Sequence, residues 1–291
     1  MKDIALQVAR ERPSLGLHAL REYIQNYVLW LLQKEGLNTR LFFMGGTALR
    51  FLWRIGRFSE DLDFSAGSGW ESGQFPSAMR KIESGLAAAG YDVDLHLQEE
   101  KTVQRGVFRF AGLLAALGLV GRKEQKFAVA LEVDTDPPDG AAGVKTIVNP
   151  HIPVLIQHYD LPSLLAGKAA AVLTREYFKG RDYFDLFWFL SKWPELQPNL
   201  LMFKNALAQK PKRDGIQPGA PGAGRRRGVI DERLIGEKRN WRTMLGWAVR
   251  EANWKAIETD VRAFIEDPSN LLAFTQENLL RLLEAQGTAV R

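Results

Sequence analysis

Two short motifs hold the side chains whose spacing could do chemistry. The apolar run Leu41-Phe42-Phe43-Met44 ends in Gly45-Gly46, and Asp61 and Asp63 follow with a single leucine between them. A glycine pair after a buried strand lets the backbone approach a ligand with no Cβ in the way. A helix starting at Thr47, read as its N-cap, would aim unpaired N–H groups at the same spot, which suits a phosphate. On a strand, Asp61 and Asp63 would face one side, roughly 7 Å apart at the backbone. That spacing suits a pair of Mg2+ ions about 4 Å apart, the arrangement of two-metal phosphoryl transfer. Two like charges beside Leu62 and Phe64 call for cations to neutralise them. A Gly-Gly pair alone is usually a turn, and Asp-x-Asp alone is often a solvated strand end. In this order they specify a phosphate-handling site.

The elements that must position these residues follow from periodicity. Leu17, Leu20, Ile24, Tyr27, Val28 and Leu31 fall at helical spacing, so the first 35 residues read as helix until Gly36 and Asn38 break it. Strands are expected at 41–44, 61–64, 91–97, 107–114 and 126–133, with helices at 47–53 and 75–89, the latter ended by Gly90. Asp92 and Asp94 repeat the Asp-x-Asp spacing without a preceding Gly-Gly helix and read as a polar strand face. After Leu161 the pattern turns helical, over 163–177, 183–192, 231–265 and 270–284. The pattern predicts an α/β or α+β sheet domain at 37–155, an N-terminal helical segment at 1–36, and a helical C-terminal region at 156–291. The Gly/Pro/Arg-rich stretch at about 211–228 reads as a mobile basic loop within it.

Composition narrows the chemistry. The chain has 291 residues, no cysteine and four histidines, so thiolate catalysis and Cys-ligated zinc are out, and no His-x-x-x-His pair offers another zinc site. No apolar run reaches the roughly 18 to 20 residues that span a bilayer, and the mixed charges of Met1-Lys2-Asp3 do not resemble a signal peptide, so a cytoplasmic location is expected. Net charge is +5 overall, yet the segment from Leu201 to Lys255 holds 13 Lys/Arg against five Asp/Glu, a local +8. Such a segment is either a solubilising face or the footprint of a polyanionic partner. Trp241, Trp247 and Trp254 lie in the same region; core packing is the default for tryptophan, with base stacking the alternative.

The sequence Phe43-Met44-Gly45-Gly46-Thr47-Ala48-Leu49, followed by Arg57-Phe58-Ser59-Glu60-Asp61-Leu62-Asp63-Phe64, resembles the opening signature of the AbiEii/AbiGii-type nucleotidyltransferases. These are toxins of abortive-infection and type IV toxin–antitoxin systems, within the DNA polymerase β-like superfamily. A second block, Lys168, Arg175 and Arg181-Asp182-Tyr183-Phe184-Asp185-Leu186, is similar to the family's Lys…Arg…Arg-Asp-x-Tyr-Asp-Leu motif, with Phe184 where tyrosine is usual. The resemblance implies an α+β fold, a minimal nucleotidyltransferase mixed sheet with flanking helices and a helical C-terminal domain. It assigns Gly45, Gly46, Thr47 and Ser59 to the nucleotide, Asp61 and Asp63 to Mg2+ (or Mn2+), and Glu132 to the third acidic position that helps activate the acceptor hydroxyl. Asp134 shares the face of Glu132 and competes for that role. Lys168 would meet the triphosphate as a point charge, with Arg175 and Arg181 as basic companions and Asp182 as a polar residue beside them. Read without the resemblance, Lys168 is a solvated helix lysine and Arg181–Asp185 an ordinary i, i+4 pair.

The implied activity moves a nucleoside monophosphate from an NTP to an acceptor, an RNA and above all a tRNA 3′ end, in phage defence, with a cognate antitoxin as partner. Two alternatives are a protein or small-molecule hydroxyl as acceptor, or a regulatory protein that binds nucleotide without turnover. Arg225, Arg226 and Arg227 lie in the Gly/Pro-rich stretch, too poor in apolar residues to pack. Replacing all three with Ala should lower the log–log salt slope of RNA binding by about 2 to 3 units, at about 0.7 to 0.9 per phosphate contact. The melting temperature should barely move. An unchanged slope would leave this stretch a solubilising insertion.

Overall fold

The structure, a computed structural model, describes residues 1–99, 102–119, 126–175, 177–209 and 240–285. The expected loop at 211–228, with Arg225 to Arg227, and the start of the helix expected from Asp231 lie outside the described residues. The chain divides into two compact units. The first comprises Met1–Arg54, Phe58–Pro137 and Gly143–Tyr159, and the second Ile55–Arg57, Pro138–Ala142 and Asp160–Arg291. Among the described residues no helix is long and apolar enough to cross a membrane.

The first unit is a mixed sheet covered on one face by helices. The single N-terminal helix expected from the sequence is two, α1 (Lys2–Arg10) and α2 (Gly16–Lys34), because Pro13 opens a short 3-10 turn between them. There follow β1 (Leu41–Met44), α3 (Gly45–Trp53), β2 (Leu62–Ala66), α4 (Phe75–Ala88), β3 (Val93–Gln98), β4 (Val103–Phe110), α5 (Leu113–Ala116) and β5 (Phe127–Asp134). Two strands that the sequence reading missed complete the unit, β6 (Gly143–Val148) and β7 (Val154–Tyr159). Strand β7 runs across residue 155, so the sheet extends beyond that expected boundary. The strand expected at 107–114 begins earlier and stops at Phe110, because Gly112 adopts a left-handed φ of 75° and the chain turns into α5.

The strand order is β3-β4-β5-β2-β1-β7-β6. Strand β1 is antiparallel to β2 and parallel to β7, while β2 is parallel to β5. Period-2 alternation sends Leu41, Phe43, Leu62, Phe64, Val129 and Leu131 into a core shared with α2 and α4. The opposite face of β2, β5 and β4 carries Asp63, Glu132 and Arg105 in register. One polar residue on α2 secures the β6–β7 turn. Buried Asn26 accepts from the Ile152 and His151 N–H groups at 2.7 and 3.2 Å, and its amide donates to the Ile152 carbonyl at 3.1 Å.

The second unit is helical. Helix α6 (Leu161–Thr174) is capped by Asp160, which accepts from the Ser163 N–H at 2.9 Å. After α7 (Gly180–Lys192) and α8 (Leu200–Ala208), the described chain resumes in α9 (Trp241–Arg250), α10 (Trp254–Arg262) and α11 (Gln276–Glu284). The continuous helix expected to Ile265 is broken at Asn253, whose side chain caps α10. Trp241 is buried and Trp254 packs on Tyr183 and Phe274, while Trp247 is exposed.

Inside this apolar bundle lies a charged network. Arg57 grips Asp185 with two hydrogen bonds of 2.6 Å, both side chains fully buried. Lys168 bridges Asp182 and Asp185 at 2.8 Å each, and Arg175 Nε reaches Asp182 at 3.0 Å. Burial alone would raise the Asp182 pKa, but Lys168 and Arg175 outweigh it and hold the carboxyl far below the usual range. Burial would likewise lower the Lys168 pKa, and Asp182 and Asp185 outweigh it and raise it.

Two stability measurements check these contacts. Asn26→Ala removes the acceptor of two part-buried N–H groups and should lower the unfolding free energy by about 1 to 3 kcal/mol in urea titration. Arg57→Met leaves Asp185 short of a partner and should destabilise by about 3 to 5 kcal/mol. A depressed carboxyl contributes its stability above its unfolded pKa and loses it as pH falls. A raised lysine contributes below its unfolded pKa and loses it as pH rises through the folded one. The deficit of Asp182→Asn should therefore stay constant between about pH 5 and 9 and narrow only in strong acid. A deficit that vanishes at about pH 5 would contradict the pairing.

Candidate active site

The glycine pair acts through what it lacks. Gly45 has φ 75°, and a Cβ there would overlap the Asp63 carboxylate, which lies against the backbone at the start of α3. Helix α3 begins at Gly45 with Met44 as its N-cap, so the expected start at Thr47 is corrected by two residues. Thr47 is not the cap. It is fully buried, and its hydroxyl donates to the Asp61 carbonyl at 2.5 Å. From the other side, the buried Gln25 amide on α2 donates to the Ser59 and Glu60 carbonyls at 3.3 and 2.9 Å. The segment 59–61 is thereby pinned at three successive carbonyls. Asp61 immediately precedes β2 rather than lying in it.

Strand register assembles the rest. Asp63 stands opposite Met44 on β1 and opposite Glu132 on β5, and Glu132 stands opposite Arg105 on β4. Arg105 Nε lies 3.2 Å from Glu132 Oε1, and a terminal nitrogen lies 4.0 Å from Asp61 Oδ1. The guanidinium thus sits between two carboxylates of the group and occupies the position of a cation there. Asp134 pairs with Ser65, one step farther from Asp61, and accepts from the Asp136 N–H at 3.1 Å. Register, not face, separates the two acids: Glu132 adjoins Asp63 and Asp134 does not.

Oxygen donors on a half-exposed strand end suit a hard divalent cation. Among the described residues no three acidic or imidazole side chains converge into a complete cage. The bridging Arg105 shows that the group attracts positive charge between its members.

In the second unit, the residues expected at 168–182 do come together. Lys168, Arg175 and Asp182 form the network described above, whereas Arg181 turns elsewhere. Its guanidinium covers the Phe264 ring at 4.0 Å and lies 3.8 Å from Asp260. Lys179, which the sequence reading passed over, has its pKa lowered by burial and by Arg175. Gln25 and Arg105 were missed as well, and Arg57 stood in a quoted motif without a role of its own. Alternation of β4 against β5 could have raised Arg105, but nothing local marks Gln25, 34 residues from Ser59.

Two solved structures share this fold. A candidate nucleotidyltransferase from H. pylori superposes with a TM-score of 0.52 at 16% identity, covering 91% of this chain and 90% of that one. JHP933 from Helicobacter pylori gives 0.51 at 16%, covering 92% and 89%. MenT4, a nucleotidyltransferase toxin of Mycobacterium tuberculosis, gives 0.48 at 18%, covering 97% and 99%. No curated protein sequence matches the chain. Residues 28–269, which hold the glycine pair, the aspartates and the Lys168 block, match the model for the nucleotidyl transferase AbiEii toxin of type IV toxin–antitoxin systems, and the chain belongs to that family of nucleotidyltransferases.

Proposed function

We propose that this nucleotidyltransferase moves a nucleoside monophosphate from an NTP to the 3′-terminal hydroxyl of an RNA, tRNA above all, using Mg2+ (or Mn2+) held by Asp61 and Asp63. The observation that carries the reading is the carboxylate row Asp61, Asp63 and Glu132, packed against Gly45 and bridged by a guanidinium. A divalent cation bound there would neutralise phosphate charge and polarise the reacting oxygens. The chain's own residues do the remainder. The N–H groups that open α3, at Gly45 and Gly46, meet the phosphates. Glu132 takes the proton of the acceptor hydroxyl as its oxygen bonds to the α-phosphorus and the bond to pyrophosphate breaks. Arg105, 4.0 Å from Asp61, would yield that position to a bound cation.

Lys168 is assigned to the triphosphate. Two of its three N–H donors are taken by Asp182 and Asp185, which aim the ammonium and leave the third for a phosphate oxygen. Arg175, on the same Asp182 carboxylate, is its basic companion, Arg181 stands outside that network against Phe264, and Asp182 fixes the lysine's position. Thr47 supports the nucleotide through the Asp61 carbonyl that its buried hydroxyl holds, and Ser59 stands in the same segment. The +8 segment favours a polyanionic acceptor. The family implies an antitoxin partner, and a cytoplasmic setting fits an RNA acceptor.

Incubation with each labelled NTP, Mg2+ and total tRNA tests the acceptor: label should enter RNA, and label in protein or in neither would overturn the RNA reading. Asp61→Asn and Asp63→Asn should each lower transfer at least about 10²-fold with the fold intact. Gly45→Ala should do the same by displacing the Asp63 carboxylate, with a modest loss of stability from the left-handed φ of about 1 to 2 kcal/mol. More than a tenth of wild-type activity at saturating Mg2+ in a folded Asp63→Asn protein would contradict the metal assignment.

A further inference from the structure

A cavity of about 430 Å3 opens in the first unit beside Asp61. Its position follows from the strand order. The glycine pair follows β1, on one side of β2, whereas the cavity is lined by residues of β5 and β4, on the other. The carboxylates therefore stand between the glycine pair and the cavity. Glu132, on β5, belongs to the cavity's side.

The lining has two chemistries. Val107, Ala128 and Ala130 project from the same sheet face as Glu132, and their small side chains leave an apolar surface free of bulk. Three cations, Arg21, Arg105 and Lys126, line the same space. Each is held before any ligand arrives: Arg21 over the Phe127 ring at 4.9 Å, Arg105 by Glu132, and Lys126 by Asp94. A flat apolar surface beside fixed cations suits a planar base joined to a phosphodiester. Glu60 and Asp61, also in the lining, offer acceptors for ribose hydroxyls.

We propose that this cavity takes the 3′-terminal nucleotide of the RNA acceptor, with the base against Val107, Ala128 and Ala130 and the backbone phosphate against Arg21 and Lys126. The inference rests on the RNA reading above and names where that acceptor binds. It places the terminal hydroxyl on the Glu132 side of the carboxylates and leaves the glycine side to the NTP.

The test uses a dye-labelled, single-stranded oligoribonucleotide with a free 3′-hydroxyl, titrated with full-length protein in the absence of NTP and read by fluorescence anisotropy. Ala128→Phe, which fills the cavity, should weaken binding about tenfold or more. Arg21→Gln should weaken it several-fold and lower the log–log salt slope by about 0.7. In both variants the affinity for a non-hydrolysable NTP analogue should stay within about twofold of wild type. Circular dichroism and melting temperature check the fold of Ala128→Phe, and Arg21→Gln gives an independent answer should that variant not fold. Unchanged oligoribonucleotide affinity in the folded variants overturns the proposal, and so does weakened analogue binding, which would make the cavity a donor site. Either result with wild-type labelling of tRNA leaves the RNA reading standing. Weakened oligoribonucleotide binding without any labelling of RNA by wild type keeps the cavity as an RNA site and removes the transfer reading instead.

Discussion

The contact on which the site depends is the approach of the Asp63 carboxylate to the backbone of Gly45, where any Cβ would overlap it. A helix N-terminus carries partial positive charge and attracts an anion. Here the chain places its own carboxylate against that terminus, next to the N–H groups that phosphates seek. The antiparallel register that pairs Met44 with Asp63 fixes this geometry, and a slip of one residue would turn Asp63 into the core. Thr47 and Gln25 then prevent the slip locally by holding three carbonyls in a row ahead of β2.

Both units gather carboxylates around cations, but at different depths. Arg105 and Asp61 are about two-fifths exposed, at 42% and 39% of their side-chain surface. A pair so open to water contributes about 0 to 1 kcal/mol, so a divalent ion or a phosphate can displace the arginine cheaply. Arg57 and Asp185 are at 2% and 0%. Their bidentate bond cannot exchange with solvent, and it fixes Asp185 as an anchor for Lys168. The first arrangement is suited to substitution and the second to permanence.

Much of this was legible in the sequence, for reasons that differ by residue. Gly45, Asp61 and Asp63 lie within a short stretch, and their constraints are local: a turn, a strand alternation, a helix start. A sheet domain with interleaved helices and a helical second half followed from periodicity, and the mixed sheet from the family resemblance. The choice between Glu132 and Asp134 did not, because alternation gives both the same face and only the pairing of β5 with β2 distinguishes them. Strands β6 and β7 escaped notice for a related reason. The first is exposed along most of its length, so it lacks the apolar alternation that marks a half-buried strand. Gln25 and Asn26 read as ordinary helix residues, and their roles arise from loops far along the chain. Arg57 was visible as part of a motif, yet its partner Asp185 lies 128 residues away.

That last separation bears on how the chain can be divided. Arg57 belongs to the helical unit although it lies in sequence between α3 and β2 of the sheet unit. No single cut in the chain yields both units whole. A fragment beginning at Asp160 would bury the carboxylates of Asp182 and Asp185 without the guanidinium that neutralises one of them. A fragment ending at Tyr159 would carry that guanidinium with no carboxylate to receive it. Halves expressed separately at that boundary would each lack one partner of this buried pair, and they regain it only when the two fragments meet while folding.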